Sequence, residues 1–133
     1  MNTPTDAIHE GTSAEYRMEI AFEQTVKHVL PHMPAVLGTP TMIMAMEEAA
    51  RIAIEKHLPP GWLSVGFEVC IRHFAAARAG ETLIARATVT GASGKRIRYK
   101  VTAQVGEGDS ARLIGEGTHE RAAIDSARFS AGE

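Results

Sequence analysis

The chain has 133 residues, a formal charge of −2, 44% hydrophobic and 23% charged residues, and one cysteine. That length suits a single domain with a true core. The near-balanced charge gives no electrostatic reason for a nucleic-acid or anionic-membrane partner. One cysteine excludes an internal disulfide framework, and no apolar run approaches the roughly 20 residues of a membrane span.

Residues 1–14 are polar and lack sustained periodicity, so they read as a mobile leader. "MNTPTDAIHEGTSAE" also lacks the basic start and apolar run of a signal peptide, which makes a cytoplasmic protein the expectation. In "EYRMEIAFEQTV", Tyr16, Met18, Ile20 and Phe22 alternate with charged residues, the pattern of a half-buried antiparallel strand. "KHVLPHMPAVLG" holds two prolines among apolar residues and suits an irregular lid. "TPTMIMAMEEAARIAIEKHLPPG" is the strong helix signal, with Thr39 as N-cap, Pro40 in the first turn and a stop at "LPPG". Four strand patterns follow, Leu63 to Ala75, Thr82 to Thr90, Arg96 to Val105 and Leu113 to Ile124, separated by Gly-containing turns. The fold class is α+β: one long helix packed on an antiparallel sheet of about five strands.

Two polar residues interrupt apolar rows. On the helix, Ile43, Glu47, Ala50 and Ile54 make one stripe, one turn below Thr39, whereas Glu48 lies three residues from Arg51 and reads as a surface ion pair. In the strand "WLSVGFEVCIRHF", strict alternation puts Val65, Phe67, Val69, Ile71 and His73 on one core-facing side, with Cys70 on the other as a buried structural cysteine. Thr39, Glu47 and His73 are acid-base parts that a helix packed on this strand could bring together. Spacing alone equally fits two independent polar residues at the rim of the core. His28 and His32 in "HVLPH" have a helical metal spacing, but Pro31 breaks the helix and no acidic third ligand is near, so no metal is expected. "GKRIRYK" places Arg96, Arg98 and Lys100 on a solvated sheet face, with phosphate binding as its functional alternative.

From about Tyr16 to Asp125, the runs "GTPTMIMAMEEAARIAI", "GFEVCIRH" and "GEGTHERAAI" resemble the hotdog-fold acyl-CoA thioesterases of the fluoroacetyl-CoA thioesterase type. The resemblance implies a hotdog domain over residues 15–125, a tail over 126–133, and a site at a homodimer interface. It further implies Thr39, Glu47 and His73 as the catalytic set, with Gly66 and Arg121 binding substrate. Glu47 would act as general base on water or attack the carbonyl itself, and His73 would relay protons. Coenzyme A would enter as part of the substrate, with no separate cofactor. The lid lacks the family enzyme's aromatic residues, and Pro40 and Thr41 stand where it has a Gly-aromatic pair. A small or medium acyl group is therefore the expectation. The alternatives are a non-catalytic acyl-CoA binding module, which has no need of Thr39, Glu47 and His73 together, and a hotdog 2-enoyl-CoA hydratase, whose own Asp-and-His segment is absent.

Overall fold

The elements follow the chain as β1 (Ser13–Glu19), α1 (Val26–Val29), α2 (Thr39–Glu55), β2 (Trp62–His73), β3 (Thr82–Ser93), β4 (Arg96–Val105), β5 (Arg112–Asp125) and α3 (Ser126–Ser130). They are seen in a computed structural model that describes residues 2–130 and 132. The strands form one antiparallel sheet in the order β1-β3-β4-β5-β2, so β2 is an edge strand.

α2 lies across the inner face of this sheet and buries Met42, Ala45, Met46, Ala49, Ala50, Ala53 and Ile54. The alanines let the helix approach the strands closely, and Leu83, Ala85, Ala87, Val101 and Ala103 complete the core. Gly115 serves the same approach from the sheet side. A Cβ there would lie 2.6 Å from the Met42 sulfur. Tyr99 is buried beneath the helix and donates its hydroxyl hydrogen to the Ala50 carbonyl at 2.9 Å.

Five local readings change. Gly38 is the N-cap of α2, and Thr39 is the first helical residue, which leaves the Thr39 hydroxyl free for another partner. The buried stripe is centred on Met42, Met46, Ala49 and Ala53, so Ile43 and Glu47 sit half-buried on its flank. The leader is docked: Ile8 is buried, and Thr5 donates to the Gly94 carbonyl at 2.8 Å. In the tail, α3 is tied to the domain by a Ser126 N–H bond to the Gly61 carbonyl, while residues 131 and 133 of the expected tail lie outside the described residues.

The fifth change is in β2. Its register against β5 shifts between Gly66 and Glu68, so Phe67 is an extra, bulged residue. Ser64 and Gly66 pair with Ala123 and Arg121 on the inner face before the bulge, and Val69, Ile71 and His73 take that face after it. The expected single row is therefore broken. Val65 points to the outer face, and Val65, Phe67 (57% exposed) and Val69 (45% exposed) are not core residues. Cys70 does lie on the face opposite His73, but it is exposed rather than buried.

Replacing Tyr99 by Phe removes one buried hydrogen bond while Ala50 keeps its place in the helix. We expect a loss of about 1 kcal/mol in the urea unfolding free energy, with an unchanged denaturant slope.

Candidate active site

Two clusters line the inner side of β2. At its C-terminal end, Thr39 Oγ1 and His73 Nδ1 are hydrogen-bonded at 2.8 Å. The pair exists because Thr39 is inside the helix rather than capping it, and because the bulge turns His73 toward α2. Beside it is a shallow hollow of about 270 Å³ lined by Val36, Leu37, His73, Phe74, Ala75 and Ala76.

The second cluster lies two helical turns on. Glu47 extends over Gly66, where an added Cβ would stand 2.5 Å from Glu47 Oε2 and 3.6 Å from His119 Cε1. Only a residue without a side chain leaves this space for the carboxylate. Glu47 is half-buried, and its carboxylate has no hydrogen-bond partner among the described residues. Its lone pairs are thus free for a substrate or a water molecule. Eight residues of helix separate Glu47 from Thr39, about 12 Å along the axis. Within one protomer, then, hydroxyl and imidazole meet each other, and the carboxylate meets Gly66.

Arg121 is buried beneath the second cluster. It donates to Ser64 Oγ through Nε at 2.9 Å and to the Ser64 carbonyl through Nη2 at 3.0 Å. His119, assigned no role from sequence, is 2% exposed, stacks on Tyr99, and has Nδ1 2.8 Å from the Glu68 carbonyl. A carbonyl only accepts, so Nδ1 carries the proton. Nε2 then accepts from Arg121 Nη1 at 3.4 Å. This network holds Glu68, Ser64 and Arg121 on either side of the bulge. Two residues apart on β5, His119 and Arg121 share a face, but their link to Ser64 depends on the bulge.

The remaining candidates have other roles. Glu48 pairs with Arg51 at 2.8 Å, and that hydrogen bond holds its carboxyl below the ordinary range. His28 packs edge-on against Phe22. No group of three or more His, Cys, Asp or Glu side chains comes together among the described residues. Arg96 pairs with Glu120 at 2.9 Å and lies 3.6 Å over the Phe67 ring, on the outer face. A hollow of about 570 Å³ is also on that face, between Cys70, Arg72, Lys100 and Thr118, and it touches neither cluster.

A helix lying across one curled antiparallel sheet, with polar groups where they meet, defines a hotdog-fold protein. A hot-dog-like protein from Thermanaerovibrio acidaminovorans superposes with a TM-score of 0.83 at 19% identity, covering 96% of this chain and 92% of that one. Residues 20–127 match the family model described as fluoroacetyl-CoA-specific thioesterase, and the chain belongs to that family. It is 32% identical over 132 residues to the fluoroacetyl-CoA thioesterase of Streptantibioticus cattleyicolor, spanning 95% of this chain and 92% of that protein. A crystal structure of the fluoroacetyl-CoA thioesterase FlK superposes with a TM-score of 0.83 at 32% identity and 96% coverage of both chains.

Burial holds the His119 pKa below its ordinary value; repulsion from Arg121 adds to this, while the Glu68 carbonyl and Glu47 oppose it. The unfolded imidazole takes up its proton near pH 6.5, and the folded one only at lower pH. Its stabilising contribution is therefore complete above about pH 6.5 and declines as the pH falls below that value. The urea midpoint should drop between pH 7.5 and 5.5. The drop should be smaller in His119→Asn, which keeps a donor for the Glu68 carbonyl but does not titrate.

Proposed function

We propose that the protein hydrolyses a small or medium acyl-CoA thioester at a site completed by a second copy of the chain. The observation that carries this is the Glu47 carboxylate, half-buried, free of hydrogen-bond partners among the described residues and seated over Gly66. The Thr39–His73 pair stands at the other end of the same strand. Supporting assembly, β2 is an open edge that exposes Leu63, Val65, Phe67 and Val69, a combination a soluble monomer normally blunts. A two-fold partner along this edge runs antiparallel, which sets its His73 end beside the Gly66 end of the first strand.

Thioester hydrolysis needs a nucleophile and stabilisation of the developing oxyanion, while the thiolate leaves with little help. In this reading Glu47 takes a proton from the water that attacks the acyl carbonyl. His73, oriented by Thr39, then supplies a proton to the departing side. A backbone N–H at the bulge beside Gly66, where the missing side chain permits close approach, supports the oxyanion. Ala123, opposite Ser64, turns its N–H away to the Lys95 carbonyl, so Ser64 and, by alternation, Gly66 turn their backbone groups toward the open edge. Arg121 holds the Ser64 backbone and so keeps Gly66 in place. Coenzyme A takes part only as a portion of the substrate, and the chemistry is assigned to side chains without a further cofactor or metal. The lid exposes Val29, Leu30 and Met33, apolar groups without an aromatic ring that suit an acyl chain longer than fluoroacetyl. Among the described residues, no helix is long and apolar enough to cross a membrane. An exposed thiol at Cys70 suits the reducing cytoplasm.

A panel of acyl-CoA thioesters assayed by thiol release, with enoyl-CoA absorbance alongside, tests the reaction class. Release restricted to no substrate, or hydration of an enoyl-CoA instead, would reject it. Glu47→Gln should lower kcat at least ~10²-fold, and Glu48→Gln should be nearly silent because Glu48 is spent on Arg51.

Sharing between subunits has its own test. Inactive Glu47→Gln and His73→Ala proteins, unfolded together and refolded as a mixture, should regain about a quarter of wild-type activity, because half the dimers are mixed and each has one intact site. No recovery in a protein that refolds and dimerises would mean that the site lies within one protomer.

A further inference from the structure

We propose that the second copy docks on β2 with the two-fold axis passing through Cys70, a register selected by side-chain complementarity. This rests on the reading of a site shared between subunits and specifies which residues meet across the seam. Phe74 N–H bonds back to the Ile114 carbonyl of the neighbouring strand. Alternation from Phe74 turns the N–H and C=O of Val69, Ile71 and His73 toward the open edge. On the other side of the bulge, Gly66 presents its backbone groups the same way.

A two-fold axis perpendicular to the sheet keeps inner side chains inner, so residues that pair across the seam must share a face. With the axis at Cys70, Val69 pairs with Ile71 of the partner subunit on the inner face. Once the bulged Phe67 is passed over, Gly66 pairs with His73 of the partner subunit, also on the inner face. That brings the partner's His73 against the residue over which Glu47 lies. On the outer face, Cys70 meets Cys70 of the partner subunit, and Glu68 meets Arg72 of the partner subunit, twice by symmetry.

This last pairing is what singles out the register. Shifting the axis to Val69 sets Glu68 against Cys70 of the partner subunit, and shifting it to Ile71 sets Arg72 there. Either shift loses both opposite-charge pairs and moves His73 off Gly66. Within the protomer, Glu68 stands opposite Glu120, which is already engaged by Arg96, and Arg72 stands opposite Glu116. Neither Glu68 nor Arg72 is in an ion pair among the described residues. Both are exposed on β2, an edge strand with no neighbour on its open side among the described residues.

Charge reversal tests the register by sedimentation. Glu68→Arg alone and Arg72→Glu alone each place like charges opposite one another at two symmetric positions, and each should weaken the dimer roughly tenfold or more. Combining them reverses both partners of each pair and should return the dimer Kd to within about threefold of wild type. As a second measure, diamide, which oxidises two nearby thiols to a disulfide as its N=N bond is reduced, should give a covalent dimer of the wild type and none of Cys70→Ser. Single variants without effect, or a double variant no better than the worse single, would overturn the register, as would failure of the thiols to link in a protein that sediments as a dimer. Those results read which residues meet across the seam; whether the site is shared between subunits at all is read separately by the mixed-dimer recovery. A protein that is monomeric throughout overturns both.

Discussion

One extra residue in an edge strand organises this molecule. Gly66 and His73 are seven positions apart, and in a regular strand an odd separation places two side chains on opposite faces. The bulge at Phe67 reverses the alternation, so both positions face α2. Without it, either the bare backbone under Glu47 or the imidazole beside Thr39 would be turned to the outer surface. The bulge is held from the sheet side by His119, which bonds the Glu68 carbonyl, and by Arg121, which grips both the hydroxyl and the carbonyl of Ser64. Two buried polar residues thus fix the local backbone on which both candidate clusters depend.

The arrangement also explains why polar residues are affordable so near the core. His119 is neutral in its buried setting and uses one nitrogen as donor and the other as acceptor, while Arg121 spends its fork on Ser64 and His119. No buried side-chain nitrogen or oxygen among the described residues lacks a partner. Glu47 escapes the cost of burial differently. It lies on the flank of the helix, half-exposed and without a partner among the described residues, which leaves the carboxylate both solvated and available. The neighbouring Glu48 has the same chemistry and a different fate, because one step around the helix brings it to Arg51.

The open edge of β2 joins the fold to the proposed chemistry. An edge strand of twelve residues exposing Leu63, Val65, Phe67 and Val69 presents both unpaired backbone groups and apolar side chains. In the proposed assembly the same feature does two jobs: it closes the sheet against solvent, and it brings a Thr39–His73 pair from one copy to a Glu47–Gly66 pair from the other. A site divided in this way couples catalysis to association, since a dissociated protomer retains each pair but not their combination.

Much of this was legible in the sequence. The helix from Thr39, the four following strands and the separation of Glu47 from Glu48 all follow from periodicity and local pairing, which act over a few residues. The motif runs pointed to the family on their own, and "THERA" already carried the alternation of His119 and Arg121. What sequence could not determine was anything that depended on a neighbour distant in the chain. Strict alternation through "WLSVGFEVCIRH" put Val65 and Phe67 in the core; Gly66 inside the run is the kind of residue found at a bulge, but whether the strand bulges is a mismatch in length with its partner, which one strand does not show. The burial of Cys70 was misjudged for a related reason: a strand's place at the edge of a sheet is decided by strand order, which local pattern does not encode. The leader looked mobile because its few apolar residues make no period, yet Ile8 is buried once the sheet supplies a surface for it. Local chemistry chose the elements; the tertiary structure, by setting register and strand order, decided which of their side chains meet.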